Sequence, residues 1–359
     1  MQAQRNEINF EGQNIYAGID VHRKSWTVCI MTEDIEYKKF MQPPNGKALH
    51  SYLTRNFPCA TYHSAYESGF SGFWAHRQLE DLGIHSMVTN AADVPTKQKE
   101  RMQKDDLRDS RKIALSLRSR QLDAIYVPLV ATQEDRYLLR VRSSLVRDMT
   151  KNKNRIKATL YYFGIPYPER FENKSSHWSK NFLLWLKEVQ FSQTSGRQAL
   201  DNLIRAVEDQ RKLLLSVTRQ IKQLAETEKY ASDVKLLKTV PGIGLVMAMH
   251  FLTEIEDINR FKNTDHFASY VGIVPDCHDS GEVKKNGKIS FRGQPLLKKG
   301  IVESSWTAIR NDRALARAYK TYISRMDGNK AIIRIARKLL NRIYFVLKNK
   351  KEYVVNVVK

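Results

Sequence analysis

Cysteine is scarce in this chain of 359 residues, which contains only Cys29, Cys59 and Cys277. The number is odd and no two of them lie close in sequence. This excludes a zinc-finger spacing and a disulfide framework and is typical of a reducing cytosol. The sequence also lacks a long hydrophobic run: the longest, at 243–252, is too short to span a bilayer. Residues 1–14 are polar and lack the apolar core of a signal peptide. We therefore expect a cytoplasmic protein without a membrane span.

Negative charge is in short supply as well. The chain has 60 Lys and Arg against 38 Asp and Glu, a formal net charge of +22 and an isoelectric point of about 9.8. The excess is concentrated late in the chain, where residues 284–351 hold 19 Lys and Arg against Glu303, Asp312 and Asp327. So large and uneven a charge attracts a polyanion and predicts a nucleic-acid partner. The alternatives are a basic protein that is merely soluble and one that binds an anionic membrane.

The first 130 residues alternate between strand and helix patterns. They contain no GxGxxG dinucleotide motif, and the meander of strands at the start argues against a Rossmann sheet. We predict an α/β domain over residues 1–130, with a polar turn at His22–Ser25 and Asn45 as a helix N-cap. The predicted strands are two within 15–30, then 37–40, 60–66 and 85–89, and the predicted helices are 45–56, 70–82 and 106–122.

Residues 131–230 have a helical, basic pattern. Near their end, apolar residues recur at alternating spacings of four and three, which is a heptad seam. The seam predicts a coiled coil or a helical hairpin, and the alternative is an amphipathic helix packed on its own domain. If the seam pairs two chains, it makes the protein an oligomer, and Gln210 would help to set the register. The seam consists of Leu203, Val207, Gln210, Leu214, Val217, Ile221 and Leu224.

Residues 231–359 form a third segment, which we expect to be mainly helical. The turn Pro241-Gly242-Ile243-Gly244 lies between two apolar helical patterns and resembles a helix-hairpin-helix. In such a turn Gly242 and Gly244 would let backbone N–H groups approach a phosphate. A purely structural turn is the alternative.

Four carboxylates stand at informative places in the α/β segment. Asp20 closes the first strand and Glu67 closes the strand at 60–66, while Asp106 and Asp109 lie three residues apart and share a helical face. Neighbouring strand ends with a helix across them would bring the four together. Oxygen ligands of this kind suit Mg²⁺ or Mn²⁺, and such ions can hold the oxygens of a phosphodiester. Singly, each residue is as well explained by a turn, a cap or a solvated face; together they favour a metal site.

Two groups of basic residues accompany these candidates. Lys104, Arg108 and Arg111 flank the helix of the paired aspartates and are candidate phosphate ligands. In the later segment, Ser280 precedes a glycine in a predicted loop that is rich in basic residues. Such a serine is a candidate nucleophile toward phosphate, with the cations stabilising the transition-state charge, and the alternative is a polar turn that binds phosphate. The basic residues of this loop are Lys284, Lys285, Lys288 and Arg292.

Short motifs spread over nearly the whole chain follow one pattern. Gly18-Ile19-Asp20-Val21, Tyr66-Glu67-Ser68-Gly69 and the run 104–110 resemble the three acidic motifs of the DEDD transposases of insertion sequences, which are bridge-RNA-guided recombinases. The third motif usually ends in Asp-Ala, whereas this chain has Ser110. Five later segments are similar to motifs of the same family: 240–244, 267–275, 280–281, 287–290 and 292–293. Many members have Ser-Ser-Gly-Gly where this chain has Asp-Ser-Gly-Glu.

The resemblance implies an RNase H or RuvC-like first domain and a serine in the last domain that attacks DNA, which corresponds to Ser280. It also implies a structured noncoding guide RNA that pairs with target and donor DNA, and assembly into dimers and tetramers in the bacterial cytosol or nucleoid. Sequence specificity would then come from base pairing.

Three functions remain open at this point. The first is an insertion-sequence recombinase that cuts and rejoins DNA through a covalent link to Ser280. The second is a metal-dependent nuclease of the Holliday-junction type, with water as nucleophile and Ser280 as a phosphate ligand. The third is a non-catalytic RNA- or DNA-binding protein with a degenerate RuvC core, against which the four carboxylates argue.

Overall fold

The computed structural model describes residues 9–95, 106–280 and 283–355, and for 276–280 and 283–288 it describes the backbone. The chain separates into two compact units, Met1–Val127 and Pro128–Lys359. The division into 1–130, 131–230 and 231–359 stays a prediction. Within the described ranges, no helix combines the length and the hydropathy needed to cross a membrane.

A five-stranded mixed sheet forms the centre of the first unit. The spatial order is β3-β2-β1-β4-β5; β2 runs antiparallel to β1 and β3, whereas β1, β4 and β5 are parallel. The predicted succession of strands and helices is confirmed, and the arrangement is consistent with a RuvC-like domain. The elements are β1 (Asn14–Val21), β2 (Trp26–Met31), β3 (Glu36–Gln42), α1 (Gly46–Asn56), β4 (Thr61–Glu67), α2 (Trp74–Asp81), β5 (His85–Thr89) and α3 (Asp106–Arg118).

Both faces of the sheet are covered by helices. Because side chains alternate along a strand, Ile15, Ala17 and Ile19 of β1 all point to one face, where they pack in a core with Leu49 of α1 and Leu79 of α2. Strand β2 is buried along its whole length. Its alternate residues therefore serve two cores, one on each face of the sheet.

The helix α3 covers the opposite face and lies unusually close to β1 at Gly18. A Cβ atom on Gly18 would stand 2.1 Å from the Ser110 carbonyl oxygen and 2.2 Å from the Ala114 nitrogen. Only a residue without a side chain permits this contact between the strand and the helix backbone. Ala114 packs there against the buried Cys29 and Met31 of β2. Gly18 therefore sets the distance between α3 and the sheet.

The second unit is built mainly from helices, with one β-hairpin. The turn between α7 and α8 contains the predicted Pro241–Gly244 motif. The elements are α4 (Val130–Tyr162), α5 (Lys180–Glu188), α6 (Thr194–Ala225), α7 (Glu228–Lys238), α8 (Leu245–Ile255), α9 (Thr264–Val271), β6 (Pro275–Ser280), β7 (Val283–Ile289), α10 (Pro295–Asn311), α11 (Arg313–Ile323) and α12 (Gly328–Asn349).

Helices α4 and α6 form an antiparallel pair in which the heptad seam packs inside the chain. The Asn152 side-chain amide donates to the Gln210 side chain at 3.1 Å, so the polar seam residue has its partner on α4. Val207 and Ile221 are buried, in two different cores that also receive residues of α4. Of the alternatives that the sequence left open, the structure has the helical hairpin. Pairing of two chains through the same seam stays a prediction, as does the oligomeric state.

A buried ion pair joins α4 to α8. Glu254 has 2% of its side chain exposed and accepts two hydrogen bonds from the Arg140 guanidinium, at 2.9 and 3.0 Å. The Arg136 guanidinium lies 3.3 Å from the same carboxylate and also donates to the Thr253 carbonyl oxygen. A buried carboxylate that is fully paired in this way fixes the relative position of two helices, because moving either helix would leave a charge without its partner.

The segment around Ser280 differs from its prediction. The sequence predicts a loop there, whereas β6 and β7 pair as an antiparallel hairpin in which Ser280 stands opposite Val283. Strand β7 reads Val-Lys-Lys-Asn-Gly-Lys-Ile, a composition with little β propensity. Pairing with β6 outweighs that local preference. Because such pairing is not encoded in the local pattern, the sequence alone does not predict a strand here.

We predict that Gly18→Ala lowers the free energy of unfolding by about 1–3 kcal/mol, the usual cost of forcing extra atoms into a packed interior. Alanine otherwise suits a strand better than glycine, so a loss isolates the contact with α3. Thermal and urea denaturation measure the change. The matched control is Gly69→Ala, because a Cβ at Gly69 would meet nothing within 4 Å. A Gly18→Ala protein as stable as the control would contradict the close approach.

Candidate metal centre

The centre begins at the carboxyl end of β1. Asp20 points to the sheet face that α3 covers, since it alternates with Ile19. His22 is the first residue after the strand, and its amide donates to the Ser25 carbonyl oxygen at 3.1 Å, closing the predicted polar turn. Residues two apart on an extended chain face the same side. The His22 Nε2 atom accordingly lies 3.1 Å from Asp20 Oδ2.

The first turn of α3 brings a second carboxylate to this place. Asp106 Oδ2 lies 3.6 Å from His22 Nε2. One donor atom from each of Asp20, His22 and Asp106 lies within 4.8 Å of the other two, and within the described ranges no further group of three histidine, cysteine or acidic residues is so arranged. The helix N-terminus adds a partial positive charge beside the acidic residues, which stabilises them.

Asp20 lies close to the negative charges of Asp106 and Asp109. Burial raises the pKa of this carboxyl above its ordinary value, and the nearby charges of Asp106 and Asp109 raise it further, while His22 opposes them. Like charges close together, with part of their hydration removed, are costly unless a cation stands among them. The donor set therefore fits a divalent cation on its chemistry as well as on its spacing.

The four predicted carboxylates are not all equivalent in the structure. Asp20 and Asp106 belong to the group of three donors, whereas Glu67 and Asp109 stand outside it. Glu67 ends β4, the parallel neighbour of β1, one residue beyond the pairing of Ile19 with Tyr66, and is thus at the same sheet edge as Asp20. Asp109 forms an ion pair with Lys112, with 2.8 Å between Nζ and Oδ1. Metal ligation by Glu67 and Asp109 stays a prediction.

His22 is a member of the centre that sequence reasoning missed. The predicted turn at His22–Ser25 gave it a structural explanation, and no metal-ligand spacing of histidines is present. The signal that could have found it is the spacing Asp-x-His at the end of a strand, because such residues share a face. Asp105, the neighbour of Asp106 in sequence, lies outside the described residues.

The departure from the family motif at Ser110 has a local explanation. Ser110 is fully buried on the inner side of α3, and its hydroxyl donates to the Leu107 carbonyl oxygen at 3.2 Å. A serine is thus accommodated where alanine is usual, because its hydroxyl has a partner within the same helix.

The basic residues near α3 have different surroundings. Arg111 pairs with Glu36 of β3, a contact between residues 75 positions apart in sequence. Hydrogen bonds from Lys39 and from Arg111 keep the pKa of Glu36 below its ordinary value. Arg108 is exposed on α3, and Lys104 lies outside the described residues. A phosphate would have to compete with Glu36 for Arg111.

The hairpin that carries Ser280 is held firmly at its base. Ser280 ends β6, and the register places Lys284 opposite Asp279 and Lys285 opposite His278. The side chains of Ser280, Lys284, Lys285 and Lys288 lie outside the described part of the structure. At the base, Lys298 Nζ donates to the carbonyl oxygens of Ser290 and Arg292 at 2.6 and 3.1 Å.

The predicted phosphate-binding turn uses its two glycines differently. Gly242 has a φ of +87°, and a Cβ there would stand 2.3 Å from the Ser304 carbonyl oxygen of α10. Both the backbone angle and the packing thus require glycine at this position. Gly244 precedes α8, and a Cβ there would meet nothing within 4 Å. Phosphate binding is therefore unnecessary to explain Gly242, and for both glycines it stays a prediction.

We predict that Asp20→Asn raises the thermal midpoint of the metal-free protein at neutral pH. The raised pKa means that the folded state binds the Asp20 proton more tightly than the unfolded chain, so the ionised carboxylate costs stability as pH rises above its ordinary pKa. Asparagine removes that charge. The gain should shrink toward the ordinary pKa of aspartate, and added Mn²⁺ should stabilise the unaltered protein only.

The control for this measurement is Asp34→Asn, which changes an exposed carboxylate in a turn of the same unit. It should leave the midpoint and the Mn²⁺ response unchanged. If Asp20→Asn has a lower thermal midpoint than the unaltered protein when both are measured in EDTA, negative charge is not crowded around Asp20.

Comparison with known proteins identifies two regions of the chain. A family model for DEDD transposases of the IS110 type matches residues 17–163, and the model described as the IS116/IS110/IS902 transposase family matches residues 234–320. The first match contains Asp20, Glu67, Asp106 and Asp109, and the second contains Ser280.

Curated relatives agree with these matches. The chain is 27% identical to a putative transposase of Sinorhizobium fredii over 67% of this chain and 57% of that protein. It is 23% identical to the transposase for insertion sequence element IS1533 of Leptospira borgpetersenii, over 70% of this chain and 72% of that protein. A pilin gene-inverting protein of Moraxella bovis is 31% identical over 39% of this chain and 45% of that protein. The chain belongs to the DEDD transposases of insertion sequences.

Proposed function

We propose that this protein is an insertion-sequence recombinase that cuts and rejoins DNA with a carboxylate metal centre and a serine nucleophile. The observation that carries the proposal is the meeting of Asp20 with Asp106 at one sheet edge, where the pKa of Asp20 is raised. Both residues lie in the region matched by the DEDD transposase model. Perturbed carboxylates that converge in this way are typical of functional sites.

A divalent cation, Mg²⁺ or Mn²⁺, is the cofactor of this proposal. Asp20 and Asp106 would hold it, and Glu67 and Asp109 would complete the set from the same sheet edge and the same helix. When bound, the cation supplies neutralisation of negative charge at the scissile phosphate. The carboxylates would orient the phosphodiester because they fix where the cation stands. The first turn of α3, which carries Asp106 and Asp109, is held against the end of β1.

Ser280 is the proposed nucleophile. Its Oγ would form a bond to phosphorus while the bond from phosphorus to the leaving strand breaks, and the serine proton ends on the hydroxyl of that strand. A strand hydroxyl then attacks the same phosphorus, the serine bond breaks, and Ser280 regains a proton. The phosphodiester energy is conserved, so strands are exchanged without ATP. Lys284, Lys285, Lys288 and Arg292 would stabilise the charge that develops on the phosphate.

Nucleic acids are the partners in this proposal: target DNA, donor DNA and a noncoding guide RNA. Helices α11 and α12 carry nine Lys and Arg and no Asp or Glu. Such surfaces contact phosphates irrespective of sequence, which leaves sequence selection to base pairing with the guide. Lys104, Arg108, Arg111, Gly242 and Gly244 are further candidate contacts to the backbone. Recombination joins two DNA partners, so a dimer or tetramer of this chain is the proposed assembly.

We predict that Ser280→Ala abolishes a covalent protein–DNA adduct while nucleic-acid binding persists. The assay is denaturing electrophoresis of the protein with labelled target and donor DNA, the guide RNA and Mg²⁺. The matched control is Ser324→Ala, which changes an exposed serine outside the hairpin and should retain the adduct. Asp20→Asn should cleave no DNA. Full recombination by Ser280→Ala would reject the covalent role and favour a metal nuclease of the Holliday-junction type that uses water.

We predict a steep decrease of nucleic-acid affinity with salt, because clustered cations release counterions from phosphates. Lys284→Glu with Lys285→Glu should lower the slope of log affinity against log salt by about two, roughly one for each lost phosphate contact. Fluorescence anisotropy between about 50 and 200 mM salt measures it. The control reverses two exposed cations of α6, Lys212 and Lys222, and should keep the slope. Affinity that is independent of salt would refute the electrostatic mode of binding.

A further inference from the structure

The imidazole of His22 stands in the metal centre without a part in the family's four-carboxylate pattern. Its Nε2 atom faces two carboxylates, at 3.1 Å from Asp20 Oδ2 and 3.6 Å from Asp106 Oδ2. The turn that carries it is fixed by the hydrogen bond from its own amide to the Ser25 carbonyl oxygen. The position of the ring is therefore set by the β1–β2 connection and not by the carboxylates alone.

We propose that His22 is a ligand of the divalent cation, through Nε2, alongside Asp20 and Asp106. The inference rests on the proposed metal centre and adds a nitrogen donor to it. The neutral imidazole that carries its proton on Nδ1 presents the Nε2 lone pair to the cation. Without a cation, the other tautomer donates from Nε2 to Asp20, as the distance between them allows.

The spacing of the three donor atoms matches the first coordination shell of a small cation. With metal–ligand bonds of about 2.1 Å, adjacent ligands in an octahedron stand about 3 Å apart and opposite ligands about 4.2 Å apart. The two distances from His22 Nε2 are close to the adjacent spacing, and the whole group lies within 4.8 Å. Small rotations of the carboxylates, which have 22% and 49% of their side chains exposed, complete the fit.

A purely structural role explains His22 less well. Its side chain is 41% exposed, and an ion pair in contact with solvent contributes little to stability. The contacts of Nε2 are to the two carboxylates that a cation would bridge. The open side also gives the cation and a phosphate access from solvent.

A nitrogen ligand changes which cation the centre prefers. Mg²⁺ strongly favours oxygen, whereas imidazole suits transition metals, so one histidine among carboxylates raises affinity for Mn²⁺ relative to Mg²⁺. His22→Gln offers an amide in place of the ring nitrogen. We expect this variant to bind Mn²⁺ at least about tenfold more weakly, a loss typical of altered metal surroundings, with a smaller change for Mg²⁺.

The test is pulsed electron paramagnetic resonance of the full chain with one equivalent of Mn²⁺. In the unaltered protein, the nitrogen nuclei of a coordinated imidazole should modulate the electron spin echo of bound Mn²⁺. This nitrogen modulation should be lost in both His22→Gln and His22→Ala. The matched control is His85→Gln, which removes an exposed histidine on β5 and should keep the modulation. Calorimetric titration with Mn²⁺ and Mg²⁺ gives the two affinities, and neither readout requires recombination activity.

The outcomes separate this inference from the proposed function. Bound Mn²⁺ without nitrogen modulation, or modulation that persists in both His22 variants, would overturn ligation by His22 and leave the carboxylate centre intact. Failure of the unaltered protein to bind Mn²⁺ would overturn both. Loss of the modulation in the two His22 variants, with retention in His85→Gln, establishes the nitrogen ligand.

Discussion

The contact between Gly18 and α3 is the constraint on which the candidate metal centre depends. A strand and a helix normally keep their backbones apart by the side chains between them, but here a Cβ would lie 2.1 Å from the Ser110 carbonyl oxygen. The contact fixes the height of α3 above β1 and its rotation about its own axis. Gly18 and Asp20 point to the same face, and Asp106 precedes Ser110 by one helical turn. The packing that brings Gly18 under Ser110 thereby brings Asp20 under Asp106.

The acidic side chains of the candidate centre are held close together although they repel one another. Burial and two neighbouring carboxylates raise the pKa of Asp20, so the side chains would lower their energy by moving apart. They stay together because α3 buries Ile113 and Ala114 fully against the sheet, and each buried apolar side chain of this kind contributes about 1–3 kcal/mol. Lys112 and His22 place positive or donor groups beside Asp109 and Asp20. Apolar packing thus offsets a local repulsion that a divalent cation would remove.

Local patterns predict the elements of the first unit better than its contacts. The strand alternation of β1 and the N-cap at Asn45, whose side chain accepts from the Lys47 amide, are properties of a few adjacent residues, and both predictions are confirmed. The pairing of Arg111 with Glu36 joins residues 75 positions apart, which no local period encodes. His22 was missed for another reason: a turn explained it well enough. The hairpin of Ser280 was missed because its basic strand has little β propensity.

Several glycines in motifs of this chain are explained by close packing of the backbone. In the second unit, Gly272 and Gly293 approach so closely that a Cβ on Gly293 would lie 2.6 Å from the Gly272 Cα, at the base of the Ser280 hairpin. Gly242 is needed for its backbone angle and for the Ser304 carbonyl oxygen, as Gly18 is needed for α3. These glycines bring backbones together, whether or not a phosphate ever approaches them. Gly244 differs from them, because a Cβ there would meet nothing within 4 Å and the residue serves as the N-cap of α8.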